Sequence, residues 1–491
     1  MLIISKKLLT QLVKLIEIMN NNFKKIFKNF YYALSSNLFN LIISVLIVLV
    51  LPKYLGIIQY GYFQLYIFYS SYLGFLQFGW NDGIYLRYAG ESIEKLKNIN
   101  IRKQFNLLLI SQLLFSCLIF IYGFFYSNDE SKGIIMICLA LSLVPIGCRA
   151  MFLFLFQATN DFKSFSKVMV FDRLIYLLLV IICLFCFDKN FEFFMYADVM
   201  SKYISFLYSI SLGRKMLINN SKIKKSRDFY KEIARSIRAG FILMLSNITS
   251  MLVIGVSRFF IEKKWDIATF GKISLSLNIL SMAMIFITAI GNVLFPTLRS
   301  LKESELPYVY KKISIPLEFF SYLILIMYLP MKIVLDNWFS EYSELSRYLV
   351  YILPLVIFET KTSLLINSYL KTLRKEKLLL KINLYSVVLS LFLSIVSSFW
   401  FHNIELMVFS ITLTLFFRKN YSEYKLSKLL NVNFFRVLIT EVILITLFIL
   451  LILLFNLKGY FLFLFLFILY FLFNKDKLLE VFFVKKLFKR S

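Results

Sequence analysis

The sequence predicts an all-α, polytopic membrane protein, and three observations carry that expectation. First, the 491 residues are 59% hydrophobic and 18% aromatic, with a mean hydropathy of +0.75. A water-soluble chain has too little interior to bury that much apolar side chain. Second, apolar runs of about 20 residues recur along the chain, the length a helix needs to cross a bilayer. Ten-residue alternating segments, the mark of a transmembrane β-barrel, are absent. Third, lysine and arginine gather in every second link between runs, the pattern of a multi-spanning topology.

The elements follow in order. Residues 1–29 are basic and amphipathic (Lys6, Lys7, Lys14, Lys24, Lys25, Lys28), which suits a helix at the membrane surface. They have no small-residue cleavage site, so they do not read as a signal peptide. Met1 and Met19 would both serve as a start before the first span. Fourteen spans are expected, at 30–51, 60–84, 105–126, 133–157, 168–187, 191–213, 239–261, 269–296, 313–335, 346–370, 378–400, 404–424, 434–456 and 459–474. The basic links are Arg87–Lys103, Lys163–Arg173, Arg214–Arg238, Arg299–Lys312, Lys371–Lys381, Arg418–Arg436 and Lys475–Arg490. The opposite links are short and often acidic, as at Asp129-Glu130. The positive-inside rule then puts both termini in the cytoplasm.

Composition excludes several functions. The net charge of +28 would suggest nucleic acid in a soluble protein, but here the cations sit between spans, so no nucleic-acid partner is expected. The five cysteines (Cys117, Cys138, Cys148, Cys183, Cys186) lie inside apolar spans and read as packing residues, the Cys183-x-x-Cys186 spacing included. A single histidine, His402, cannot build a His-rich metal site or a paired catalytic system. There is no nucleotide-binding glycine loop and no His-Glu-x-x-His. No cofactor is expected beyond Na+ or H+ as a coupling ion, and no enzyme activity.

An internal repeat organises the chain. A shift of 210 residues takes Ser36-Asn37 to Ser246-Asn247, Tyr60-Gly61 to Phe270-Gly271, Arg149 to Glu359 and Gln157 to Asn367. Matches at one ungapped shift point to two related halves. The polar residues within spans follow helical spacing. Ser274, Asn278, Ser281, Thr288 and Asn292 share one face of span eight. Asn247 and Arg258 share a face of span seven, and Asn37, Asn40 and Ser44 share a face of span one. Lipid cannot satisfy such faces, so each must meet protein or water.

The charged residues inside spans are the candidate site. Arg149 lies in mid-span, too deep to snorkel. It reads either as a cation lining an internal cavity or as one half of an ion pair with Asp198 or Glu359. Arg258 lies nearer a span end, where snorkelling competes with ligand binding. Span ten carries Glu359-Thr360-Lys361-Thr362-Ser363 at its centre. Glu359, Ser363 and Asn367 fall along one side and Lys361 on another. Glu359 reads as an ion-coupling carboxylate or as a partner for Arg149. Asp198 and Lys202, four apart, read as a self-satisfied pair, with Asp198 as the second ion-coupling candidate. Arg87 and Glu91 have the same spacing. The candidate substrate contacts are therefore Arg149, Arg258, Asn37, Asn247, Asn278 and Lys361.

Several short runs carry a resemblance. Leu51-Pro52-Lys53-Tyr54-Leu55-Gly56 followed by Tyr60-Gly61-Tyr62-Phe63 resembles the first extracytoplasmic link of Wzx-type polysaccharide repeat-unit flippases. Gln157-Ala158-Thr159-Asn160-Asp161-Phe162-Lys163 resembles their link after span four. Phe270-Gly271-Lys272-Ile273-Ser274 and Leu294-Phe295-Pro296-Thr297-Leu298-Arg299 resemble the two ends of their span eight. These runs extend over residues 30 to about 430 and place the chain near the multidrug/oligosaccharidyl-lipid/polysaccharide exporter superfamily. The resemblance implies two six-helix lobes, at 30–213 and 239–430, joined by the basic linker 214–238. Residues 431–491 would add two helices and a basic tail. It implies an undecaprenyl-diphosphate-linked oligosaccharide as substrate, moved across the bacterial inner membrane for O-antigen or another surface polysaccharide, among membrane lipids and other polysaccharide-assembly proteins. Relatives often carry an acid just before the basic residue of span seven. Here that position is Ser257, so the acid's coupling role does not carry over.

Three rival readings compete. A multidrug exporter of the same superfamily would favour a net acidic cavity, whereas the mid-span residues are Arg149, Lys202, Arg258 and Lys361 against Asp198 and Glu359. A membrane enzyme of polysaccharide assembly would present a large loop with clustered catalytic residues, and the outer links are too short for one. A structural scaffold would not need polar stripes inside its spans.

Overall fold

A computed structural model describes residues 2–90, 101–125, 129–218, 226–342, 344–432 and 435–473, with side chains omitted over 2–34 and at some other positions. Among these residues the chain is helical throughout, without strands. The helices are α1 (Leu2–Leu73), α2 (Trp80–Tyr88), α3 (Ile101–Phe125), α4 (Glu130–Ala158), α5 (Phe162–Cys186), α6 (Phe191–Ile218), α7 (Ser226–Lys264), α8 (Ile267–Ser300), α9 (Leu306–Tyr322), α10 (Tyr328–Trp338), α11 (Leu345–Thr360), α12 (Asn367–Thr372), α13 (Glu376–Ile395), α14 (Ile404–Leu430) and α15 (Phe435–Phe473). π-Helical runs, Lys361–Ile366 and Val396–Trp400, follow α11 and α13.

Nine helical segments among the described residues are long and apolar enough to cross a membrane. Two of them each hold a non-helical break, at Gly56 in α1 and Asn456 in α15, and each covers two expected spans. The expected spans at 191–213, 269–296 and 404–424 fall on α6, α8 and α14; charged residues interrupt α6 and α14, and α8 is apolar over Ile267–Met282 among the described residues. A 25-residue helix such as α3 rises about 37 Å at 1.5 Å per residue, more than the roughly 30 Å hydrocarbon core. Leu114, Phe124, Phe125, Phe185 and Trp400 stand exposed, a surface that suits lipid. The chain is therefore an all-α polytopic membrane protein.

Local chemistry starts the helices where the sequence provides a cap. Asp129 accepts from the Ser131 and Lys132 backbone N–H groups, Asp161 from Ser164, Asp266 from Thr269, and Asn403 from Glu405 and Leu406. Each capping oxygen satisfies donors that the first helical turn leaves open.

The chain divides into two compact units. Unit 1 comprises residues 1–44, 69–188 and 192–241. Its core joins Trp80, Phe105, Cys148, Phe152, Phe156 and Phe206, with Phe105 at 5.4 Å from Phe152 and 6.3 Å from Phe206, centroid to centroid. Buried polar bonds pin these helices: Trp80 Nε1 donates to Gln104 Oε1 at 3.2 Å and Asn81 Nδ2 to the Gly147 carbonyl at 3.0 Å. Unit 2 comprises residues 45–68, 189–191 and 242–491. Its core gathers Leu298, Tyr310, Ile366, Tyr369, Ile382 and Leu426.

Within unit 2 the second half of α1 packs on α8 through the two aromatic-glycine pairs of the repeat. A Cβ on Gly61 would stand 2.3 Å from the Ile267 carbonyl oxygen, and a Cβ on Gly271 would stand 2.9 Å from Gly61 Cα. Only glycine permits that approach.

Candidate substrate-binding site

Arg258, on α7, is the best-placed sequence candidate. Its Nη2 donates to Ser274 Oγ on α8 at 2.9 Å. Its guanidinium lies 4.7 Å from the Phe68 ring centroid and 5.3 Å from that of Phe270, where the ring faces attract a cation. Asn278, one turn beyond Ser274, donates to Gln64 Oε1 at 2.9 Å and to the Tyr60 hydroxyl at 3.4 Å. Tyr60 lies within electrostatic reach of Arg258. Thus Tyr60 and Gln64 of α1, Arg258 of α7, and Ser274 and Asn278 of α8 form one polar group inside unit 2. Ser274 and Asn278 come from the expected stripe. Ser281, of the same stripe, is exposed and bonds the Asn278 carbonyl at 2.7 Å. The side chains of Thr288 and Asn292 lie outside the described residues.

Arg149, on α4 of unit 1, is an ion pair, but its partner is neither Asp198 nor Glu359. Its Nη1 donates to Asp172 on α5 and to Ser205 Oγ on α6 at 3.0 Å. Sequence reading gave Asp172 no role, where the expected span 168–187 overlaps the basic link Lys163–Arg173. The structure starts α5 at Phe162, which carries Asp172 well inside the helix. Asp198 pairs with Lys202, as the i,i+4 spacing implied, and Lys202 also donates to Ser70 Oγ at 3.2 Å.

Glu359 is likewise matched elsewhere. Arg418 Nη1 meets it at 2.8 Å, while Arg418 Nε donates to Asn383 Oδ1 at 3.1 Å and Nη2 to Ser250 Oγ at 2.7 Å. Ser363 donates to Glu359 at 3.3 Å, on the side the spacing predicted. Lys361 points away from that group and is 3% exposed, held by Glu318 and Glu423 at 2.7 Å each. Arg418, Lys419 and Glu423 were expected where the span 404–424 runs into the basic link Arg418–Arg436. The structure buries all three, because α14 continues to Leu430. Asn37 is half-buried, and Asn247 is exposed. Ser257 is buried and bonds Ser394 Oγ at 2.9 Å and Ser390 Oγ at 3.4 Å, a hydroxyl cluster where relatives would place an acid. Glu91 and the Lys475–Arg490 tail lie outside the described residues.

Among the described residues the cysteines are free thiols, and no group of three or more His, Cys, Asp or Glu has metal-holding geometry. An apolar crevice of about 260 Å³ lies between α11, α14 and α15, lined by Phe358, Phe409, Leu413, Phe416, Ile445 and Ile449, and none of the sequence candidates lines it.

Helices broken at Gly56 and Asn456, π-helical runs and paired buried charges mark a polytopic helical membrane fold. Solved structures share it. The chain aligns with lipid II flippase MurJ in an inward closed conformation, with a TM-score of 0.62 and 13% identity, over 91% of this chain and 98% of that one. It aligns with an inward-facing multidrug resistance MATE family transporter of the MOP superfamily, with a TM-score of 0.58 and 12% identity, over 80% and 98%. A MOP superfamily transporter from Pyrococcus furiosus gives 0.55 and 12%, over 86% and 96%. The fold is that of the MOP superfamily. No curated protein sequence matches the chain. The family model described as polysaccharide biosynthesis protein matches residues 26–302, and the chain belongs to that family.

Proposed function

We propose that this protein is a flippase that moves a lipid-diphosphate-linked oligosaccharide, carried on undecaprenyl, across the bacterial inner membrane for surface polysaccharide such as O-antigen. The observation that carries this reading is the Arg258 group. A diphosphate is a dense anion and is held by a guanidinium with neighbouring hydroxyl donors. Arg258 offers that charge beside Ser274, over two aromatic rings, and Tyr60, Gln64 and Asn278 add the amides and hydroxyl that suit sugars. Family membership supports the process, and the solved neighbour MurJ is a lipid II flippase.

Arg149 carries a carboxylate already, so we assign it to holding α4, α5 and α6 together. Residues 30–213 and 239–430 act as two lobes that alternate access, with Na+ or H+ as the driving ion and both termini in the cytoplasm. The protein is a transporter and not an enzyme.

The test is leaflet exchange of a diphosphate-linked oligosaccharide in vesicles holding the purified protein. Exchange is expected for the wild type, none for Arg258→Ala, and a partial rate for Arg258→Lys, which keeps the charge but loses the planar fork. Export of a cationic dye without oligosaccharide exchange would overturn the proposal in favour of a drug exporter.

A further inference from the structure

A second charged group, far from Arg258 in sequence, lies in the interior of unit 2. Lys361, at the start of the π-helical run, meets Glu318 of α9 and Glu423 of α14 at 2.7 Å each. Lys419, one turn before Glu423, meets Glu423 at 2.9 Å and also reaches Glu441 of α15. Side-chain exposures are 3% for Lys361, 0% for Lys419, 1% for Glu423 and 1% for Glu441, with Glu318 at 13%. Water contributes little screening there.

The charges in this chain do not cancel. Three carboxylates face two ammonium groups, Lys361 bridging the first two acids and Lys419 the last two. With every group ionised, the network would keep one uncompensated negative charge in a low-dielectric interior. A metal ion is a poor remedy, because an ammonium already stands between each neighbouring pair of carboxylates. A proton is the fitting ligand.

The hydrogen bonds say which acid carries it. Glu423 is paired with both lysines, and its Oε1, facing Lys361, also accepts from the Tyr310 hydroxyl at 3.0 Å; its Oε2 meets Lys419 as an ion pair without hydrogen-bond geometry. Glu318 accepts from Lys361 and from Ser314 Oγ at 2.6 Å. Both are solvated as anions by protein donors. Glu441 accepts from Lys419 through Oε2 alone, and its Oε1 is buried without a hydrogen-bond partner. The Tyr322 hydroxyl, on a side chain 2% exposed, is also buried without a partner, and it faces Glu441 and Glu318 electrostatically. The titratable groups that act on Glu441 are Lys419 and Glu423 of α14, Lys361, and Tyr322 of α9, and Tyr322 in turn faces Glu318 and Tyr470. The lysines are shared with better-placed acids. An irregular π-helical turn at Lys361 is the kind of helix defect that recurs at functional sites.

We infer that the Glu318–Lys361–Glu423–Lys419–Glu441 network is a binding site for a single proton, and that Glu441 carries it. No bond other than the O–H is made: binding neutralises Glu441, and release returns one negative charge to the network. The site stands on its own geometry and holds whichever substrate the transporter moves.

The test is infrared titration of the purified full-length protein at neutral pH, reading the C=O stretch of protonated carboxyl groups. Glu441→Gln is the isostere of the protonated acid and leaves the network's charge balanced, so it is expected to fold. A protonated-carboxyl band is expected in the wild type and in Glu318→Asp, which keeps the charge count of the network, and its loss in Glu441→Gln. Absence of the band in the wild type would overturn the proposal. So would its survival in Glu441→Gln, or its loss in Glu318→Asp.

Discussion

Removing Arg149 leaves the Asp172 carboxylate with its cation gone. The two side chains are 15% and 16% exposed, and the guanidinium also serves Ser205. Breaking a buried pair by deleting one partner costs about 3–5 kcal/mol, and the residual exposure puts this pair at the low end, about 3. At 1.4 kcal/mol per factor of ten, that is a loss of roughly 100-fold in the folded-to-unfolded ratio. Arg149→Ala and Asp172→Ala are each expected to show it, as lower abundance in membranes and an earlier midpoint in denaturant unfolding of detergent-purified protein. Arg149→Met with Asp172→Leu replaces the pair by packed apolar groups and is expected to recover most of the loss. The coupling between the two sites should then reach about 2 kcal/mol. Wild-type stability in Arg149→Ala, with the two single effects simply adding, would refute the pairing argument. If that stable variant also lost surface polysaccharide, Arg149 would be restored as a diphosphate contact.

Other outcomes are expected on the same grounds. Gly61→Val drives a side chain into the Ile267 carbonyl and should destabilise by about 1–3 kcal/mol or more; unchanged thermal unfolding would show that α1 and α8 do not touch there. The Thr269 hydroxyl and backbone N–H hold the Asp266 carboxyl below its ordinary range, against its partial burial. Its cap therefore stabilises α8 above the unfolded-state value and is lost as pH falls through the lower folded value. Asp266→Ala should cost about 1 kcal/mol at neutral pH and flatten the acid limb of the unfolding profile, and an unchanged acid limb would count against the cap. In a background without the five native cysteines, single cysteines in the Arg214–Arg238 link should label only from the cytoplasmic side, and periplasmic labelling would end the proposed topology.

The sequence made the fold class legible because lipid imposes a simple rule, apolar length between polar links, and the helices obey it. Partners were not legible. Arg149 announced itself as a deep cation, yet its carboxylate lies 23 residues on, on another helix, and no sequence spacing joins the two. Lys419 and Glu423 stood where the expected span 404–424 meets its basic link, and only the packing of α14 shows them buried. Glu441 was one acid in an apolar run, and only tertiary packing shows that two lysines are shared among three acids. The Asp198–Lys202 pair was found because both members lie on one helix.

The close approach of Gly61 to Gly271 has a consequence for how such a chain could arise. The two glycines stand 210 residues apart, the shift at which the sequence suggests a repeat, and they meet each other. When equivalent positions touch, the contact is isologous, as at the axis of a symmetric dimer. On the two-lobe reading, a single-copy ancestor would have met itself at this point, so one substitution would have struck the interface from both sides at once. Fusion of the copies removes that constraint in principle, since each glycine is now encoded separately. It does not remove it in practice, because a side chain at either position still collides with the backbone of the facing helix, at Ile267 for Gly61 and at Gly61 for Gly271. The two codons are independent in the gene and remain a single character in the fold.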